Sequence, residues 1–255
     1  MTDEIPRHKV LVTGGGRGLG AAIVRALAYD GYDVTFTYRS AHAEAEKLID
    51  ELKAAEPDAR IAARALDFGD RSAMEPFANA VEQDGPFYGL VHNAGQSYDT
   101  LAAMMDQTKA EHIMQINFWS FTRLAASLMR PMTRAREGRI VAIGSVTALK
   151  ANQGNAAYAA TKAALLAYTR TLAIETARRG VTVNYIAPGF IDTDMMIPYA
   201  AHRETMEKQI PAGRFAKPED VAGVVAFLLS PAAAYITGAV LPVDGGLSAS
   251  LGVNR

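Results

Sequence analysis

The chain has 255 residues and a formal net charge of −1, with 49% hydrophobic and 21% charged residues. This balance is ordinary for a globular protein of one large or two small domains, and a charge so close to zero attracts neither nucleic acid nor an anionic membrane surface. There is no cysteine, which excludes disulfides, cysteine nucleophiles and thiolate metal sites and suits a reducing, cytoplasmic compartment.

The N-terminal residues 1–9 mix charged side chains with Pro6 and lack an apolar run, so no signal peptide is predicted. The longest apolar stretches, such as residues 224–229, are too short to span a bilayer. We therefore expect no membrane partner and no nucleic-acid partner, and we predict no metal site.

A glycine-rich turn, residues 13–20, follows the first predicted strand, residues 10–12, and precedes a predicted helix. This order is typical of dinucleotide sites, because glycines let the backbone approach a pyrophosphate and the helix N-terminus supplies free N–H groups. The alternative is a tight turn without a ligand. The predicted cofactor contacts are Gly14, Gly16, Arg17, Gly18, Leu19 and Gly20.

The second predicted strand, residues 34–38, is followed by Arg39 and Ser40. An acidic residue at this end of the strand would bind the ribose 2′-hydroxyl of NAD, but Asp33 lies at the other end. Arg39, with Arg17 from the glycine turn, instead favours the 2′-phosphate of NADP, because a guanidinium pairs with phosphate through charge-assisted hydrogen bonds. The alternative is that both arginines are merely solvated.

The third predicted strand, residues 60–66, ends at Asp67 and Phe68. Asp67 is expected either to bond the adenine amine or to cap the helix that starts near Arg71. The fourth predicted strand, residues 87–91, opens into small residues that would let the backbone pass beneath a cofactor, namely Asn93, Ala94 and Gly95.

The next predicted helix begins at a capping box formed by Thr108 and Glu111 and runs past Leu128. Asn117 lies among its apolar residues, and a buried amide needs partners, whether structural or functional. Arginines cluster where the helix ends, which favours dipole compensation and solubility: Arg130, Arg134, Arg136 and Arg139.

Tyr158 and Lys162 are four residues apart and therefore share one face of the predicted helix that begins near Asn155. A nearby ammonium favours ionisation of a phenol. Ser145 follows the predicted strand of residues 139–143. Together these groups offer a proton donor, a cation that tunes it and a hydroxyl that holds an oxygen. The alternative is a surface helix with a tyrosine at the core edge and a solvated lysine.

Two more predicted strands, residues 181–186 and 239–243, flank a methionine-rich, irregular segment, residues 194–213, and a helix, residues 218–229. The segment is expected to shape an apolar pocket or lid over the substrate, since methionine adapts to varied ligands; ordinary core packing is the alternative. The uninterrupted alternation predicts one α/β domain over residues 1–255: a Rossmann-type doubly wound parallel sheet of about seven strands with helices on both faces.

The order and spacing of these motifs resemble those of the short-chain dehydrogenase/reductase family over essentially the whole chain. The pattern looks most like that of the 3-oxoacyl-acyl-carrier-protein reductases, to which residues 138–140, 180–184, 187–195 and 234–238 are also similar. The motifs are Thr13-Gly14-x-x-x-Gly18-x-Gly20, Asn93-Ala94-Gly95, Asn117, Ser145, Tyr158-x-x-x-Lys162 and Pro188-Gly189.

This resemblance implies that Tyr158 protonates the substrate oxygen, that Ser145 holds this oxygen, and that Lys162 lowers the tyrosine pKa and bonds the nicotinamide ribose. Asn117 is implied to hold a water in a proton relay. The catalytic set is thus Asn117, Ser145, Tyr158 and Lys162. The implied contacts with NADP(H) include the glycine turn and the residues after the second, third and fourth strands, which are Arg39, Ser40, Asp67, Phe68, Asn93, Ala94 and Gly95. The resemblance adds six more: Tyr158, Lys162, Pro188, Gly189, Ile191 and Thr193. The family also implies a homotetramer.

Two departures stand out. His92 occupies a position where a second asparagine is common, and Ile174 replaces one of two basic residues that dock a carrier protein. Arg136 matches the other, with Arg134 as a nearby substitute. The expected function is NADPH-dependent reduction of a 3-oxoacyl thioester. One alternative is an enzyme that reduces a free small ketone or oxidises the corresponding alcohol. The other alternative is a protein that binds NADPH without catalysis.

Overall fold

Seven strands occur among residues 7–250, which are the residues that the computed structural model describes. The signal-peptide prediction depends largely on residues 1–6 and lies outside the described residues. In chain order the strands are β1 (Lys9–Thr13), β2 (Asp33–Tyr38), β3 (Ile61–Ala65), β4 (Gly89–His92), β5 (Gly138–Ile143), β6 (Val181–Pro188) and β7 (Val240–Val243). They form one parallel sheet in the spatial order β3-β2-β1-β4-β5-β6-β7.

Helices connect the strands, and none within residues 7–250 is long and apolar enough to cross a membrane. The helices are α1 (Gly18–Tyr29), α2 (His42–Ala55), α3 (Arg71–Gln83), α4 (Gln107–Met114), α5 (Ser120–Ala135), α6 (Ala156–Thr176), α7 (Arg203–Glu207) and α8 (Pro218–Leu229).

Adjacent residues of β1 point to opposite faces of the sheet. Val10 and Val12 belong to a core cluster shared with α1, α2 and α8, whereas Leu11 belongs to a cluster shared with α3, α5 and α6. Both faces are therefore covered, which is why the central strands are almost continuously apolar. The predicted doubly wound parallel sheet with helices on both faces is confirmed.

The position of β1 creates the crevice in which the site lies. β1 lies between β2 and β4, and the chain leaves β1 and β4 toward opposite faces of the sheet. Open parallel sheets bind ligands at such a switch point, beyond the carboxyl ends of the strands. The register pairs Thr13 with His92, so the loops that follow β1 and β4 begin side by side.

The helix that carries Asn117 differs from the expectation. Asp106, not Thr108, caps α4: its Oδ1 accepts a hydrogen bond from the Lys109 N–H at 3.2 Å. The predicted helix does run past Leu128 without a break, but it is not a regular α-helix, because a π-helical turn at Gln115–Trp119 lies between α4 and α5. Asn117 lies inside this turn. Such turns are rare and are frequently found at functional sites. They redirect a side chain that a regular helix would place elsewhere.

Two charged residues also differ from the expectation. Asp70, not Asp67, caps α3, since its Oδ1 accepts a hydrogen bond from the Ser72 N–H at 2.8 Å. Arg139 is not part of a solvated arginine cluster. It lies in the central strand β5, is only 6% exposed, and places its guanidinium 5.4 Å from the centroid of the Tyr88 ring.

Candidate active site

The glycine turn after β1 forms a close-packed backbone cradle. Gly14 and Gly18 have φ angles of 66° and 54°, which favour glycine, and a Cβ at Gly20 would overlap the carbonyl oxygen of Gly14. Gly16 packs against β2, and the Leu19 side chain is buried in the core. α1 begins at this point and brings its free N–H groups to the end of the turn. The cradle therefore fits a pyrophosphate.

Asn93 ties the loop after β4 to this cradle. Its Nδ2 donates hydrogen bonds to the carbonyl oxygens of Thr13 at 3.2 Å and Gly14 at 2.9 Å. The Thr13 Oγ1 in turn accepts hydrogen bonds from the N–H groups of Asn93 and Ala94, both at 3.0 Å. Two loops from different strands are thereby held as one rigid surface at the switch point.

Asn117 connects this surface to α6. Its Oδ1 accepts a hydrogen bond from the Gln96 N–H at 2.8 Å, and its Nδ2 donates to the Gln96 carbonyl at 3.0 Å and to Thr161 Oγ1 at 2.9 Å. A Cβ at Gly95 would lie 3.3 Å from Lys162 Nζ and 3.4 Å from Asn117 Oδ1. The absence of a side chain at Gly95 therefore keeps the space beside the amide and the ammonium open.

Two other catalytic candidates, Ser145 and Lys162, lie at the carboxyl end of β5. Lys162 is 3% exposed, and its Nζ donates a hydrogen bond to the Ile143 carbonyl at 3.0 Å. Ser145 Oγ accepts hydrogen bonds from the Thr147 N–H at 3.1 Å and from Thr147 Oγ1 at 2.9 Å. The hydroxyl of Tyr185 accepts a hydrogen bond from the Ser145 N–H at 3.0 Å and lies 3.2 Å from the Lys162 carbonyl, to which it can donate. One buried tyrosine thus contacts the backbone of both residues.

Burial dominates the electrostatics of the site. It raises the pKa of Tyr158 to about 12, although a hydrogen bond from Ser145 lowers this pKa and the charge of Asp99 raises it further. Burial also lowers the pKa of Lys162 to about 8. The Lys162 Nζ lies 5.6 Å from the centroid of the Tyr158 ring. The expected lowering of the Tyr158 pKa is therefore wrong for this structure, because loss of hydration disfavours the charged phenolate more than the hydrogen bond from Ser145 favours it.

The end of β2 presents exposed groups to the crevice. Arg39 and Ser40 are both exposed there. Arg17 points across the crevice instead: its Nη1 lies 3.6 Å from the Asp194 Oδ2, and both side chains are more than half exposed. The two arginines predicted to act together thus have different surroundings, and Arg39 is the one left next to the predicted 2′-phosphate position.

Asp67 and Phe68 face in different directions after β3. Asp67 is exposed and its Oδ1 accepts a hydrogen bond from the Gly69 N–H at 2.8 Å, which leaves the second carboxylate oxygen available to a base amine. Phe68 is buried and meets the His92 ring edge-on, with 6.4 Å between ring centroids. Phe68 therefore offers the crevice its backbone rather than its ring.

The loop after β6 closes the far side of the crevice. β6 ends at Pro188, and Gly189 donates its N–H to the last residue of β7 at 3.1 Å. Ile191 forms an isolated parallel bridge with Ala216. A Cβ at Gly18 would lie 3.4 Å from the Thr193 methyl group, so this loop and the glycine turn meet. The predicted residues from β1, β4, β5 and β6 therefore line one crevice.

Comparison with known proteins agrees with this geometry. A family model described as enoyl-(acyl carrier protein) reductase matches residues 14–248. The chain is 42% identical over 240 residues to the 3-oxoacyl-[acyl-carrier-protein] reductase of Pseudomonas aeruginosa, covering 93% of this chain and 96% of the relative. It is 40% identical over 239 residues to the enzyme of that name from Escherichia coli, with the same two coverages.

The chain belongs to the short-chain dehydrogenase/reductase family. A solved structure described as an NAD(P)-dependent gluconate 5-dehydrogenase from Beutenbergia cavernae, with bound NADP at low occupancy, superposes with a TM-score of 0.90 at 34% identity, covering 97% of this chain and 99% of that one. The fold and the oxidoreductase class of this short-chain dehydrogenase/reductase follow from these matches.

Several residues of the site were missed by sequence reasoning. Gln96 and Thr161 hold the Asn117 amide, and Tyr185 holds the backbone of Ser145 and Lys162. Thr161 had a visible signal, since it lies between the motif tyrosine and lysine. Tyr185 had none, because a tyrosine inside an apolar strand looks like ordinary core.

The segment of residues 194–213 is helical in its first part and irregular only at its end: a 3₁₀ helix, Asp194–His202, leads directly into α7, and turns follow over residues 208–213. Met195 is 51% exposed, and Met104 on the facing loop is 73% exposed. The core-packing alternative is therefore wrong for these methionines. The hydroxyl of Tyr199 donates a hydrogen bond to the Asp99 carboxylate, so the segment contacts the loop after β4 across the mouth of the crevice.

Proposed function

We propose that this protein is an NADPH-dependent ketoreductase that reduces a 3-oxoacyl thioester, carried by an acyl carrier protein, to the 3-hydroxyacyl form. The observation that carries the proposal is the convergence of Ser145, Tyr158 and Lys162 at the open end of the glycine cradle. Relatives at 40% to 42% identity over nearly the whole chain bear the name of this activity, which supports the substrate class.

The residues present fit the cofactor. Gly14, Gly18 and Gly20 form a backbone cradle that side chains would fill, and Asn93 fixes the neighbouring loop. Arg39 is the candidate partner of the 2′-phosphate, and a relative of the same fold is described with bound NADP. NADPH, when bound, supplies the hydride that reduces the carbonyl carbon. Asp67, Phe68, Ile191 and Thr193 are proposed as further contacts with the cofactor.

The protein groups act on the substrate oxygen. Reduction builds negative charge on a carbonyl oxygen, and hydroxyl donors that are already in place stabilise it without reorganisation. The Ser145 hydroxyl holds this oxygen, and Tyr158 transfers a proton to it. The raised pKa of Tyr158, about 12, keeps the phenol protonated at neutral pH, which suits a proton donor in the direction of reduction.

Lys162 and Asn117 are proposed to assist proton transfer by Tyr158. The Lys162 ammonium stabilises the phenolate that is left after proton transfer, because opposite charges attract strongly where water is excluded. Asn117 holds the loop beside Lys162 through Gln96 and Thr161, and we assign it the water that returns the proton.

The segment of residues 194–213 is proposed as the substrate lid. Its exposed apolar side chains, with those of the facing loop, suit an acyl chain. The exposed side chains are Leu101, Met104, Met105, Met195 and Ile197.

Carrier-protein docking is proposed at Arg134 and Arg136. Arg136 lies at the end of α5 and donates a hydrogen bond to the Arg178 carbonyl at 3.1 Å. This contact brings α5 and the end of α6 together as one basic surface, and an acidic carrier would be attracted to it.

A homotetramer and a cytoplasmic location complete the proposal. Tyr235, which precedes the edge strand β7, is fully exposed, and Phe227 on α8 is 45% exposed. Exposed apolar side chains of this size favour subunit contact. Size-exclusion chromatography with light scattering gives the oligomeric state, and cell fractionation gives the location.

A second candidate is reduction of a free ketone. It is favoured by Ile174, which is 82% exposed on α6 where the carrier-protein reductases have a basic residue, and by the gluconate dehydrogenase description of one structural relative. In this case the basic surface would have no partner.

The deciding experiment follows NADPH oxidation with 3-oxoacyl thioesters on an acyl carrier protein and on coenzyme A, beside free ketones. A 2-enoyl thioester is included because the family model carries an enoyl reductase description. Preference for the carrier-linked 3-oxoacyl substrate supports the proposal. Preference for free ketones supports the second candidate function. Turnover of the enoyl thioester alone contradicts both candidate functions.

A further inference from the structure

His92 is a fully buried histidine beside the catalytic residues. It is the last residue of β4 and is 0% exposed. Its Nδ1 lies 3.1 Å from Thr13 Oγ1, and its Nε2 lies 3.4 Å from the carbonyl oxygen of Asn117. The ring therefore bridges the first residue of the glycine turn and the π-helical turn.

The hydrogen bonds around Thr13 determine the tautomer of His92. The Thr13 Oγ1 already accepts two hydrogen bonds, from the N–H groups of Asn93 and Ala94. A hydroxyl has two lone pairs and one proton, so the Thr13 proton is left to donate to Nδ1. Nδ1 must then be unprotonated. Nε2 carries the hydrogen of a neutral ring and donates it to the Asn117 carbonyl.

The surroundings keep the ring neutral and fixed. Burial lowers the pKa of His92 to about 3, and the nearby charge of Lys162 acts in the same direction. Phe121 lies 5.1 Å and Phe68 lies 6.4 Å from the ring, measured between centroids. The ring is fully buried and packs against two aromatic side chains, and close packing of this kind restrains the ring in one orientation.

We infer that His92 is a positioning residue, which sets the place of Asn117 by holding the π-helical turn against the glycine turn. The inference rests on the proposed function, since it assigns His92 to the proton relay that ends at Lys162. His92 anchors the backbone carbonyl of Asn117, and Gln96 and Thr161 anchor its amide. Without the backbone anchor the turn can relax toward a regular helix, which would rotate the amide away from Lys162.

Two variants of His92 separate positioning from simple packing. His92→Phe preserves an aromatic ring but has no donor for the Asn117 carbonyl. His92→Gln places an amide N–H near the position of Nε2 and can restore this contact. Thr169→Val is the matched control, because it removes a fully buried hydroxyl whose hydrogen bond, to the Leu165 carbonyl at 2.7 Å, lies within α6.

The expected result is a separation of turnover from cofactor binding. His92→Phe should lower kcat about 10-fold to 100-fold, because small displacements of a catalytic group cost factors of this size, while the Kd for NADPH changes less than about threefold. His92→Gln and Thr169→Val should keep kcat within about threefold of the parent. Equal losses in the Phe and Gln variants, or an unchanged kcat in His92→Phe, would overturn the inference.

A measurement on the unmodified protein tests the hydrogen-bond network directly. In ¹⁵N NMR spectra, His92 should give the signature of a neutral ring protonated at Nε2, with no titration between pH 5 and pH 9. A ring protonated at Nδ1 would contradict the inference even if the variants failed to fold. Failure of the proposed function shows itself differently, as absence of turnover of 3-oxoacyl thioesters by the unmodified protein; kcat is therefore measured on the carbonyl compound that it reduces fastest.

Discussion

The ring of Tyr185 occupies the space where a side chain at Gly144 would lie: a Cβ at that position would overlap the Tyr185 ring. Gly144 directly follows β5, and Tyr185 lies in the neighbouring strand β6. This close approach lets the Tyr185 hydroxyl reach the Ser145 N–H at 3.0 Å. The glycine and the tyrosine therefore act together to hold the catalytic serine.

Removal of the Tyr185 hydroxyl should damage both stability and turnover. Tyr185→Phe leaves the buried Ser145 N–H without its partner, which costs about 1–3 kcal/mol, and it loosens Ser145, so kcat should fall. Urea unfolding and NADPH oxidation measure the two effects. Tyr88→Phe is the control: its hydroxyl is bonded to the Leu229 carbonyl at 2.7 Å, far from the site, so this variant should lose stability only. Equal kcat values in both variants would contradict the role of Tyr185.

Substitution of Gly144 should be far more harmful than an ordinary glycine replacement. Gly144→Ala drives a methyl group into a ring that has no room to move, and overpacking of this kind costs about 1–3 kcal/mol or more. The matched control, Gly223→Ala, lies within α8 where a Cβ would meet no atom within 4 Å. It should raise stability by about 0.5–1 kcal/mol, since alanine favours helix. Thermal unfolding of both variants measures their stability relative to the parent protein. The prediction fails if the two substitutions change stability in the same direction.

Stability should depend on pH through Lys162. Burial lowers its pKa from 10.5 to about 8, so between these values the unfolded chain binds more protons and stability rises with pH. Below pH 8 the buried charge costs roughly 3 kcal/mol. Lys162→Met should therefore stabilise the protein at pH 7 while abolishing turnover, and the gain should disappear near pH 10.5.

Chemical denaturation at several pH values tests this prediction. Lys47→Met, on the exposed face of α2, is the control and should change stability little at any pH. A gain from Lys162→Met that is the same at pH 7 and pH 10.5 would show that burial of the charge is not its cause.

Arg39 should determine the choice between the two nicotinamide cofactors. A charge-assisted hydrogen bond to the 2′-phosphate contributes roughly 1.5–3 kcal/mol, so Arg39→Ala should weaken NADPH binding about 10-fold to 100-fold and leave NADH binding nearly unchanged. Arg60→Ala, an exposed arginine at the start of β3, serves as the control. Fluorescence titration with both cofactors measures the effect, and equal losses for NADPH and NADH would exclude the 2′-phosphate role.

Tyr158 should distinguish an enzyme from a binding protein. Tyr158→Phe removes the proton donor and keeps the ring, so kcat should fall about 10²-fold to 10⁴-fold while the Kd for NADPH stays within about threefold. Stopped-flow reduction and fluorescence titration measure the two quantities. Unchanged turnover would remove Tyr158 from the mechanism, and absence of turnover in the unmodified protein would favour the non-catalytic alternative.

The features that depend on patterns over a few neighbouring residues could be predicted from the sequence. Short, mainly apolar runs of three to seven residues that alternate with helical stretches predicted the parallel sheet, because both of its faces are buried. The glycine spacing at residues 14–20 predicted the cradle because few other residues tolerate those backbone angles. The helix boundary near Thr108 was placed wrongly because Asp106 and Thr108 are both good caps, and only the folded backbone selects one.

The sequence by itself determined the order of strands and helices, the glycine cradle and the residue types that carry the chemistry, because these depend on neighbours along the chain. Only the tertiary structure decided the π-helical turn at Asn117, the bridge made by His92, the support of Ser145 by Tyr185 and the raised pKa of Tyr158. These depend on contacts between strands and helices far apart in the chain, and on how completely water is excluded between them. No local pattern encodes either quantity.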